Sequence, residues 1–369
     1  MKILHVIPNL NKGGAERLCL DTCRALQNIQ GVEVLLINLY PENAYSFLTN
    51  ALNRKVIPAK VTPSISGKST IEINHLQQEL EVFQPDVIHV HLFEALMVVS
   101  HLHFSAHLVV HFHDNMVQFE NFSWRTLLHK QKLTSFFEKR IILKALKQHK
   151  VSYIGISEHT YQYMNKVLPR SVQKVKLLNA IETNRFHASP ESQRSNELTM
   201  IASLVPKKAQ HIAIQVVAEL VLRGINIRLN LLGDGSEKGK LQELTKKLNL
   251  EQHILFHGNV DDPERFLKNS VVYIHTALYE PFGLVILEAM AAGLPVVCTD
   301  GGGNRDLIHD GENGFLVTST KPEYLADKIE YLLKHEDKRK QMGKQAQHFA
   351  KEFDIEHYAT QLMIKYSAM

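Results

Sequence analysis

The chain has 369 residues, of which 44% are hydrophobic and 22% are charged, and its formal net charge is +4. This composition is typical of folded domains and excludes disordered and fibrous proteins, while the small net charge argues against a dedicated nucleic-acid binder. A domain averages roughly 150 residues, so the length predicts two domains.

The cysteines and the N-terminus bear on the cellular compartment. Cys19, Cys23 and Cys298 show no CxxC spacing, so neither a disulfide framework nor a zinc knuckle is predicted. The apolar stretch at the N-terminus is short and interrupted by His5, and no run reaches the about 18 apolar residues of a membrane span. The expected location is therefore a reducing cytoplasm.

Short β-branched runs alternate with segments of helical length. In the first half, buried strands are predicted at 2–7, 32–38, 87–90, 108–112 and 153–156. After residue 198 the alternation begins again, with strands predicted at 200–202, 228–232, 254–256, 271–275, 296–299 and 315–317. Two successive βαβ sets indicate an α/β protein with two doubly wound parallel sheets.

The polar stretch 183–197 separates the two sets and is the predicted linker. The expected domains therefore span 1–182 and 198–354. A final helix over about 355–369 follows a break in the helical pattern and could pack back on the first domain. Ligands of doubly wound sheets lie beyond the carboxyl ends of the strands, and two such domains facing each other form a cleft.

The strongest candidate site follows the predicted strand 271–275. Residues 276–283 lead into a helix that contains Glu288. Gly283 allows a sharp turn, and the unpaired amides at a helix start suit a phosphate. Glu280 and Glu288 bracket this position and can accept hydrogen bonds from sugar hydroxyls. Acids near a helix start are also common dipole partners, so the spacing alone leaves both interpretations open.

Two other glycine-rich turns follow predicted strands. Asp300-Gly-Gly-Gly-Asn304 opens a second helix in the second half of the chain. Gly13-Gly14 follows the first strand, where its backbone can approach a phosphate or an acceptor closely. The order GxGxxG is missing, and the second strand ends without the acid that holds a dinucleotide ribose, which argues against a dehydrogenase.

The segment Glu280-Pro-Phe-Gly-Leu-Val-Ile-Leu-Glu288-Ala-Met-Ala-Ala-Gly-Leu-Pro-Val-Val resembles the signature of retaining glycosyltransferase family 4. The stretches 155–157, 179–186, 302–308 and 310–317 are also similar to that family, and the resemblance covers nearly the whole chain. It implies the GT-B fold, in which two Rossmann-like domains face a cleft. The first domain would bind the acceptor and the second the nucleotide sugar.

The resemblance also implies roles for individual residues. Glu288 would hold the ribose hydroxyls, Glu280 the donor sugar, and the backbone of Gly283 and Leu284 the diphosphate. The other donor-binding positions that it implies are Gly14, Phe282 and, beside the base, Val260.

One position departs from the family pattern. The family typically places an arginine and a lysine, five residues apart, where they neutralise the diphosphate. Lys208 matches the lysine, but Ser203 stands at the arginine position and supplies neither charge nor a bidentate fork. Lys207 either compensates in part or is a solvated surface residue. The departure leaves catalytic efficiency and donor class open.

Four histidines, His89, His91, His111 and His113, have the strand spacing that points two rings to one face. This pattern raises the question of a metal site. The chain has no DxD motif and lacks the carboxylates of a magnesium-dependent transferase, so no metal and no cofactor are expected. The resemblance implies that His113 contacts the donor sugar, whereas His89 and His91 are expected to be packed strand-end residues.

The stretch 124–150 is predicted as a helical segment with a basic and an apolar face. Such a segment either lies on an anionic membrane surface or packs its apolar face on the core. Peripheral contact with the inner face of the plasma membrane would suit a lipid-linked acceptor.

The resemblance therefore implies a retaining hexosyl- or N-acetylhexosaminyltransferase that is expected to need no metal, with Glu280, His113 and Lys208 as catalytic residues. A UDP-sugar is the favoured donor, a GDP-sugar the second choice, and the acceptor is a glycan or a polyprenyl-linked glycan of bacterial cell-surface polysaccharide synthesis. Two alternatives stay open. A sugar-nucleotide epimerase of the same fold would need no acceptor, and a non-catalytic nucleotide-sugar-binding subunit would fit Ser203.

Overall fold

The computed structural model describes residues 1–62, 70–120, 130–188 and 194–369, without the side chains of residues 130 and 131. The chain divides into two compact units, Met1–Asn179 with Ile355–Met369, and Ala180–Asp354. The predicted linker, 183–197, lies within the second unit, and part of it is outside the described residues.

The first unit is built on parallel strands with helices between them. Its strands are β1 (Lys2–Ile7), β2 (Glu33–Asn38), β3 (Arg54–Val56), β4 (Lys60–Thr62), β5 (Thr70–Glu72), β6 (Val87–His91), β7 (His107–Phe112), β8 (Val151–Gly155) and β9 (Gln173–Lys176). Its first helices are α1 (Gly14–Gln27), α2 (Ser46–Thr49), α3 (Asn74–Phe83), α4 (Phe93–Val99), α5 (Lys130–Ala145) and α6 (Glu158–Val167). Seven strands form one parallel sheet in the order β3-β2-β1-β6-β7-β8-β9, and β4 pairs antiparallel with β5.

The second unit repeats the same plan. Its strands are β10 (Glu197–Ile201), β11 (Arg228–Leu232), β12 (Ile254–Gly258), β13 (Val272–His275), β14 (Val296–Thr299) and β15 (Gly314–Val317). Its helices are α7 (Thr183–Phe186), α8 (Gln210–Leu222), α9 (Lys238–Lys247), α10 (Pro263–Asn269), α11 (Leu284–Ala291), α12 (Pro322–Lys334) and α13 (Glu336–Ala350). The sheet is parallel, in the order β12-β11-β10-β13-β14-β15.

The last helix, α14 (Ile355–Ser367), belongs to the first unit and packs against α1. It buries Tyr358, Ala359, Leu362 and Tyr366, while α1 buries the face that carries Leu18. Residues 355–369 are therefore part of the first unit, although they follow the second unit in the sequence.

The order of strands reverses at one point in each sheet, between β1 and β6 and between β10 and β13. Loops that leave the carboxyl ends of neighbouring strands at such a point diverge to opposite faces of the sheet and leave a crevice for ligands. In the second unit these loops carry Lys208 after β10 and Glu280 after β13. The topology thus brings together two residues that lie 72 positions apart in the sequence.

The predicted strands are confirmed, because buried parallel strands are continuous apolar runs that the sequence displays directly. Sequence analysis missed β3, β4, β5 and β9, which are short and carry exposed residues. Of the predicted segment 124–150, residues 124–129 lie outside the described residues and α5 begins at Lys130. Among the described residues, none of the helices has the length and apolar character needed to cross a membrane.

Candidate active site

A buried carboxylate with two partners lies at the reversal point of the second sheet. Lys208 Nζ is 2.6 Å and His275 Nε2 is 2.8 Å from the same oxygen, Oε2 of Glu280. Glu280 and His275 are buried, and the Lys208 side chain is only 16% exposed. An ionised carboxylate only accepts hydrogen bonds. His275 therefore carries a proton on Nε2 and donates a hydrogen bond to Glu280 through it. Both partners therefore fix the direction of the Glu280 side chain.

The same contacts set the charge of Glu280. Burial alone would raise the pKa of this carboxyl group, but the hydrogen bonds and charges of His275 and Lys208 outweigh burial and lower the pKa to about 2. The group is thus ionised at neutral pH despite its burial. It is a fixed acceptor, suited to a sugar hydroxyl.

The glycine-rich turn after β14 holds the Glu280 loop in place. The Glu280 amide donates to the Gly301 carbonyl, and the Gly303 amide donates to the Glu280 carbonyl, both at 2.8 Å. A Cβ at Gly303 would lie 1.8 Å from the Pro281 carbonyl oxygen, which no side chain tolerates. These glycines are therefore required for close backbone approach to the Glu280 loop.

The Lys208 turn is held in an unusual conformation. Pro206–Lys208 forms a 3₁₀ helix, and Ala209 follows with φ 48° and ψ 42°, the left-handed region that costs a non-glycine residue about 1–2 kcal/mol. The Thr276 hydroxyl donates to the Ala209 carbonyl at 3.0 Å and ties the turn to the loop after β13. This tie directs Lys208 toward Glu280.

The position that departs from the family pattern is on the surface. Ser203 is exposed, and its carbonyl accepts a 2.8 Å hydrogen bond from Gln210 Nε2. Lys207 is exposed as well, with its ammonium 5.5 Å from the centre of the Tyr279 ring, a cation–π distance. Lys207 thus contacts Tyr279, while Lys208 contacts Glu280.

Gly283 caps the helix that follows Glu280. Its φ is 105°, a conformation that L side chains rarely adopt, and its carbonyl accepts the amides of Ile286 and Leu287. The first amides of a helix have no intrahelical acceptor, and the positive end of the helix dipole lies there. The start of α11, at Leu284, therefore offers a phosphate site, and the half-buried Glu288 lies one turn further along.

Two other predicted donor residues have different surroundings. Phe282 is 1% exposed and packs against Phe353, so its side chain anchors the loop from within the core. Val260 is half-buried and follows β12, three strand positions from β13. At about 4.8 Å per strand, that separation is roughly 14 Å.

The double glycine of the first unit lies at the start of α1. Gly14 is the first residue of the helix and is exposed. Gly13 precedes it and is held by Tyr45, whose hydroxyl accepts from the Gly13 amide at 3.1 Å and donates to the Gly13 carbonyl at 3.2 Å. The backbone of this turn is thus fixed and open to a ligand.

His113 lies just beyond β7 and is buried. Its Nε2 is 2.8 Å from His91 Nδ1, and its ring stacks on His111 with centroids 4.2 Å apart. Burial lowers the pKa of His113 to about 3, so the imidazole is neutral at physiological pH. His113 can therefore donate or accept a hydrogen bond but cannot supply positive charge.

Sequence analysis missed His275. Its position at the end of the strand that leads to Glu280 was visible in the sequence. The spacing does not show that the His275 ring turns back to contact the Glu280 carboxylate. His89 and His91 are buried on β6, as expected, and they also form hydrogen bonds with histidines of neighbouring strands.

Two family models match the chain and together cover most of it. "Glycosyltransferase Family 4" matches residues 12–178, and "Glycosyl transferases group 1" matches residues 182–349. The chain belongs to the group 1, family 4 glycosyltransferases. The resemblance seen in the Glu280 to Glu288 segment is therefore confirmed.

Curated relatives match parts of this glycosyltransferase. A poly(ribitol-phosphate) alpha-N-acetylglucosaminyltransferase of Staphylococcus aureus is 27% identical over 222 residues, which are 57% of this chain and 44% of that protein. An N-acetyl-alpha-D-glucosaminyl L-malate synthase of Bacillus anthracis is 35% identical over 140 residues, 38% of this chain and 36% of that protein. The chain spans less than half the length of these two relatives.

A solved structure matches the whole chain. The crystal structure of Anabaena HepE in complex with UDP-glucose superposes with a TM-score of 0.80 and 22% identity, and the match covers 100% of both chains. This likeness confirms the two-domain α/β fold of the GT-B type.

Proposed function

We propose that this glycosyltransferase moves a hexosyl or N-acetylhexosaminyl group from a nucleotide sugar to a glycan or lipid-linked acceptor of the bacterial cell surface. The observation that carries the proposal is the buried Glu280 carboxylate, held ionised by Lys208 and His275 beside the start of α11. The complex of HepE with UDP-glucose supports a UDP-sugar as the donor, with a GDP-sugar as the second choice.

The proposed reaction retains the anomeric configuration and needs no metal. The bond from the anomeric carbon to the diphosphate oxygen breaks, and the bond to the acceptor oxygen forms on the same face of the sugar. The acceptor proton passes to the leaving diphosphate. Negative charge grows on that diphosphate, where Lys208 and the amides at Gly283 and Leu284 stabilise it.

Lys208 can serve both partners in this reaction. Its ammonium has three donors, of which one is used on Glu280 at 2.6 Å. The other two have no acceptor among the described residues. If they bond the diphosphate, the lysine links the carboxylate that holds the sugar to the leaving group. We assign Glu288 to the ribose.

Four residues complete the proposed donor site. Gly14 would approach the phosphate or the acceptor, and neutral His113 would bond a sugar hydroxyl. Val260 would touch the base. Phe282 would contribute through its backbone, because its side chain is buried in the core.

The test uses the full chain with UDP-, GDP- and ADP-sugars. A ligand that binds only the folded form raises the melting temperature, and we expect the largest shift with a UDP-sugar. Nucleoside diphosphate release should then require an acceptor, persist in EDTA, and give a product with the anomeric configuration of the donor by NMR. Conversion of the donor without an acceptor would instead indicate an epimerase.

Exposed Ser203 favours a second candidate, a non-catalytic subunit that binds nucleotide sugars. The missing guanidinium lowers the positive charge available to the diphosphate. If wild type and Glu280→Gln gave equal turnover across a panel of donors and acceptors while wild type still bound UDP, this second candidate would replace the first.

We also propose peripheral contact between the stretch 124–150 and an anionic membrane. In its described part, α5 exposes Lys132, Arg140 and Lys144. The protein should sediment with vesicles rich in phosphatidylglycerol at low salt and be released at high salt, since screening weakens such contacts. Equal binding to neutral phosphatidylcholine vesicles would contradict this.

A further inference from the structure

A second cluster of reactive side chains lies in the first unit, between β1 and α1. His5 stands on β1, and Cys19 and Cys23 stand four residues apart on α1, so both thiols lie on one helix face. All three side chains are fully buried, and both cysteines are free thiols. One ring nitrogen of His5 and the two sulfur atoms lie within 4.8 Å of one another.

The two nitrogens of His5 differ. Nδ1 is 2.9 Å from His91 Nε2 and is therefore engaged in a hydrogen bond. Nε2 is buried and has no nitrogen or oxygen partner among the described residues. A hydrogen bond links the ring to the Cys23 thiol. Nε2 is therefore the ring nitrogen left to bind a ligand, and the two thiols lie beside the ring.

Two all-histidine groups in the described residues also have ligand atoms within 4.8 Å, His5 with His89 and His91, and His91 with His111 and His113. Their rings are stacked, with interplanar angles of 15° between His89 and His91 and 13° between His111 and His113. The lone pair of an imidazole lies in the ring plane, so stacked rings cannot converge on one ion. The lone pairs of a thiolate sulfur are not confined to one plane, so Cys19 and Cys23 can bind an ion together with a single imidazole.

We propose that His5 Nε2, Cys19 Sγ and Cys23 Sγ bind a zinc ion. Zinc takes nitrogen and sulfur ligands, whereas magnesium and calcium prefer oxygen. Two thiolates balance the 2+ charge, so the loaded site is neutral, as burial requires. Copper(I) with the same ligands would leave one negative charge uncompensated.

Three protein ligands leave a fourth position in a tetrahedral site, and α14 packs against α1, the helix that carries both thiols. The Tyr358 hydroxyl on α14 is buried and has no partner among the described residues.

A zinc ion on His5 would also determine which ring nitrogen carries the proton in His5, His91 and His113. With zinc on Nε2, His5 carries its proton on Nδ1 and donates to His91 Nε2. His91 then keeps its proton on Nδ1 and donates to His113 Nε2 at 2.8 Å. His113 is left with its proton on Nδ1, a buried atom without a partner among the described residues.

This last consequence rests on the proposed function, in which His113 bonds the donor sugar. The zinc would make His113 a hydrogen-bond donor through Nδ1, with His91 as the positioning residue between them. The ion itself stays in the interior of the first unit and takes no part in sugar transfer. The proposed metal independence of the transfer step is therefore unaffected.

The first test measures metal on tag-free protein without donor or acceptor. We expect one zinc per chain by mass spectrometry, and thiolate-to-cobalt charge-transfer absorption after replacement by cobalt. The double variant Cys19→Ala, Cys23→Ala should lose the metal by about tenfold or more and lose this absorption. Cys298→Ala is the matched control, because it removes the buried cysteine of the second unit and should keep the zinc.

Because the cysteines are buried, circular dichroism must show that the double variant is folded. Wild type stripped with a chelator gives an independent readout and should take up one equivalent of zinc or cobalt again. Stripped wild type that takes up no metal, or a folded double variant that keeps the metal, would overturn the proposal. These readouts need no transferase activity, so the proposed function can fail separately.

The proton positions are tested by ¹⁵N NMR of the histidine rings. In the zinc-loaded protein, His5, His91 and His113 should each show a protonated Nδ1 and an unprotonated Nε2. If the metal binds while His113 carries its proton on Nε2, the link to the donor site is wrong and the zinc site stands.

Discussion

The two units bury titratable groups in opposite ways near the reversal points of their sheets. In the first unit, His89, His91 and His111 are neutral rings that bond and stack with other histidines, and burial holds their pKa values well below the ordinary range. In the second, Glu280 is ionised and stabilised by Lys208. The buried histidines stabilise the fold only at a pH where their rings stay unprotonated. The ion pair of Glu280 and Lys208 persists to a much lower pH.

The largest expected effect of this difference is the response to mild acid. The unfolded chain binds protons at histidines below pH 6.5, while the buried rings do not, so stability present above pH 6.5 is lost as the pH falls below it. Each such ring costs about 1.4 kcal/mol per pH unit, or about 6 kcal/mol for four rings at about pH 5.5. The four rings are His89, His91, His111 and His113.

Hydrogen exchange read by mass spectrometry, corrected for the intrinsic effect of pH, distinguishes the units. Peptides from β1, β6 and β7 should lose protection between pH 6.5 and 5.5, before those from β10 and β13. The exposed His348 provides a control, since His348→Gln should leave the profile unchanged. Simultaneous loss of protection in both units would contradict the expected difference in their response to acid.

The second prediction concerns how much Glu280 contributes to the free energy of unfolding at different pH values. Its folded pKa of about 2 lies below the ordinary 4.5, so its contribution to stability is present above pH 4.5 and is lost as the pH falls toward 2. Glu280→Gln should therefore reduce the free energy of unfolding by about 3 kcal/mol at neutral pH. Urea unfolding across a pH series should show this gap narrowing below pH 4.5, and a constant gap would argue against the ion pair as its source.

A third effect separates neighbouring lysines. Lys208→Met should lower turnover about 100-fold, or about 2.7 kcal/mol, because the diphosphate loses a charge and buried Glu280 loses one of its two partners. Lys207→Met removes the same charge from the adjacent, exposed residue and should change turnover only slightly. Equal losses in steady-state kinetics would show that overall charge matters more than position.

The smallest effect tests the departure from the family pattern. Ser203→Arg should tighten donor binding about tenfold, or about 1.4 kcal/mol, since a guanidinium forms charge-assisted hydrogen bonds with a diphosphate. Ser203→Gln, which is long but uncharged, is the control. Donor affinity measured by calorimetry should improve only with arginine, and an equal gain with glutamine would indicate packing.

The sequence predicts the strands of both sheets because apolar runs mark buried parallel strands, but it does not reveal short or exposed ones such as β3 and β9. For the site, Glu280 and Lys208 stand in recognisable segments. The contact of His275 with Glu280 was not predictable, because it depends on how a strand end turns in space. The close approach of Gly303 to Pro281 likewise follows from tertiary packing.

The same limit applies to the thiol cluster. The four-residue spacing of Cys19 and Cys23 places both thiols on one face of a helix. The sequence does not show that His5, on a neighbouring strand, packs against that face. Local periodicity gives the direction of side chains within an element. Which element lies opposite is decided by the whole fold.

The return of α14 to the first unit affects the order in which the protein is made. On the ribosome, residues 180–354 form an uninterrupted stretch that can fold as soon as it has emerged. The first unit begins earlier but lacks the helix whose Tyr366 hydroxyl bonds His89 until residues 355–369 have been synthesised. The half of the molecule that is translated first is thus the last to be finished.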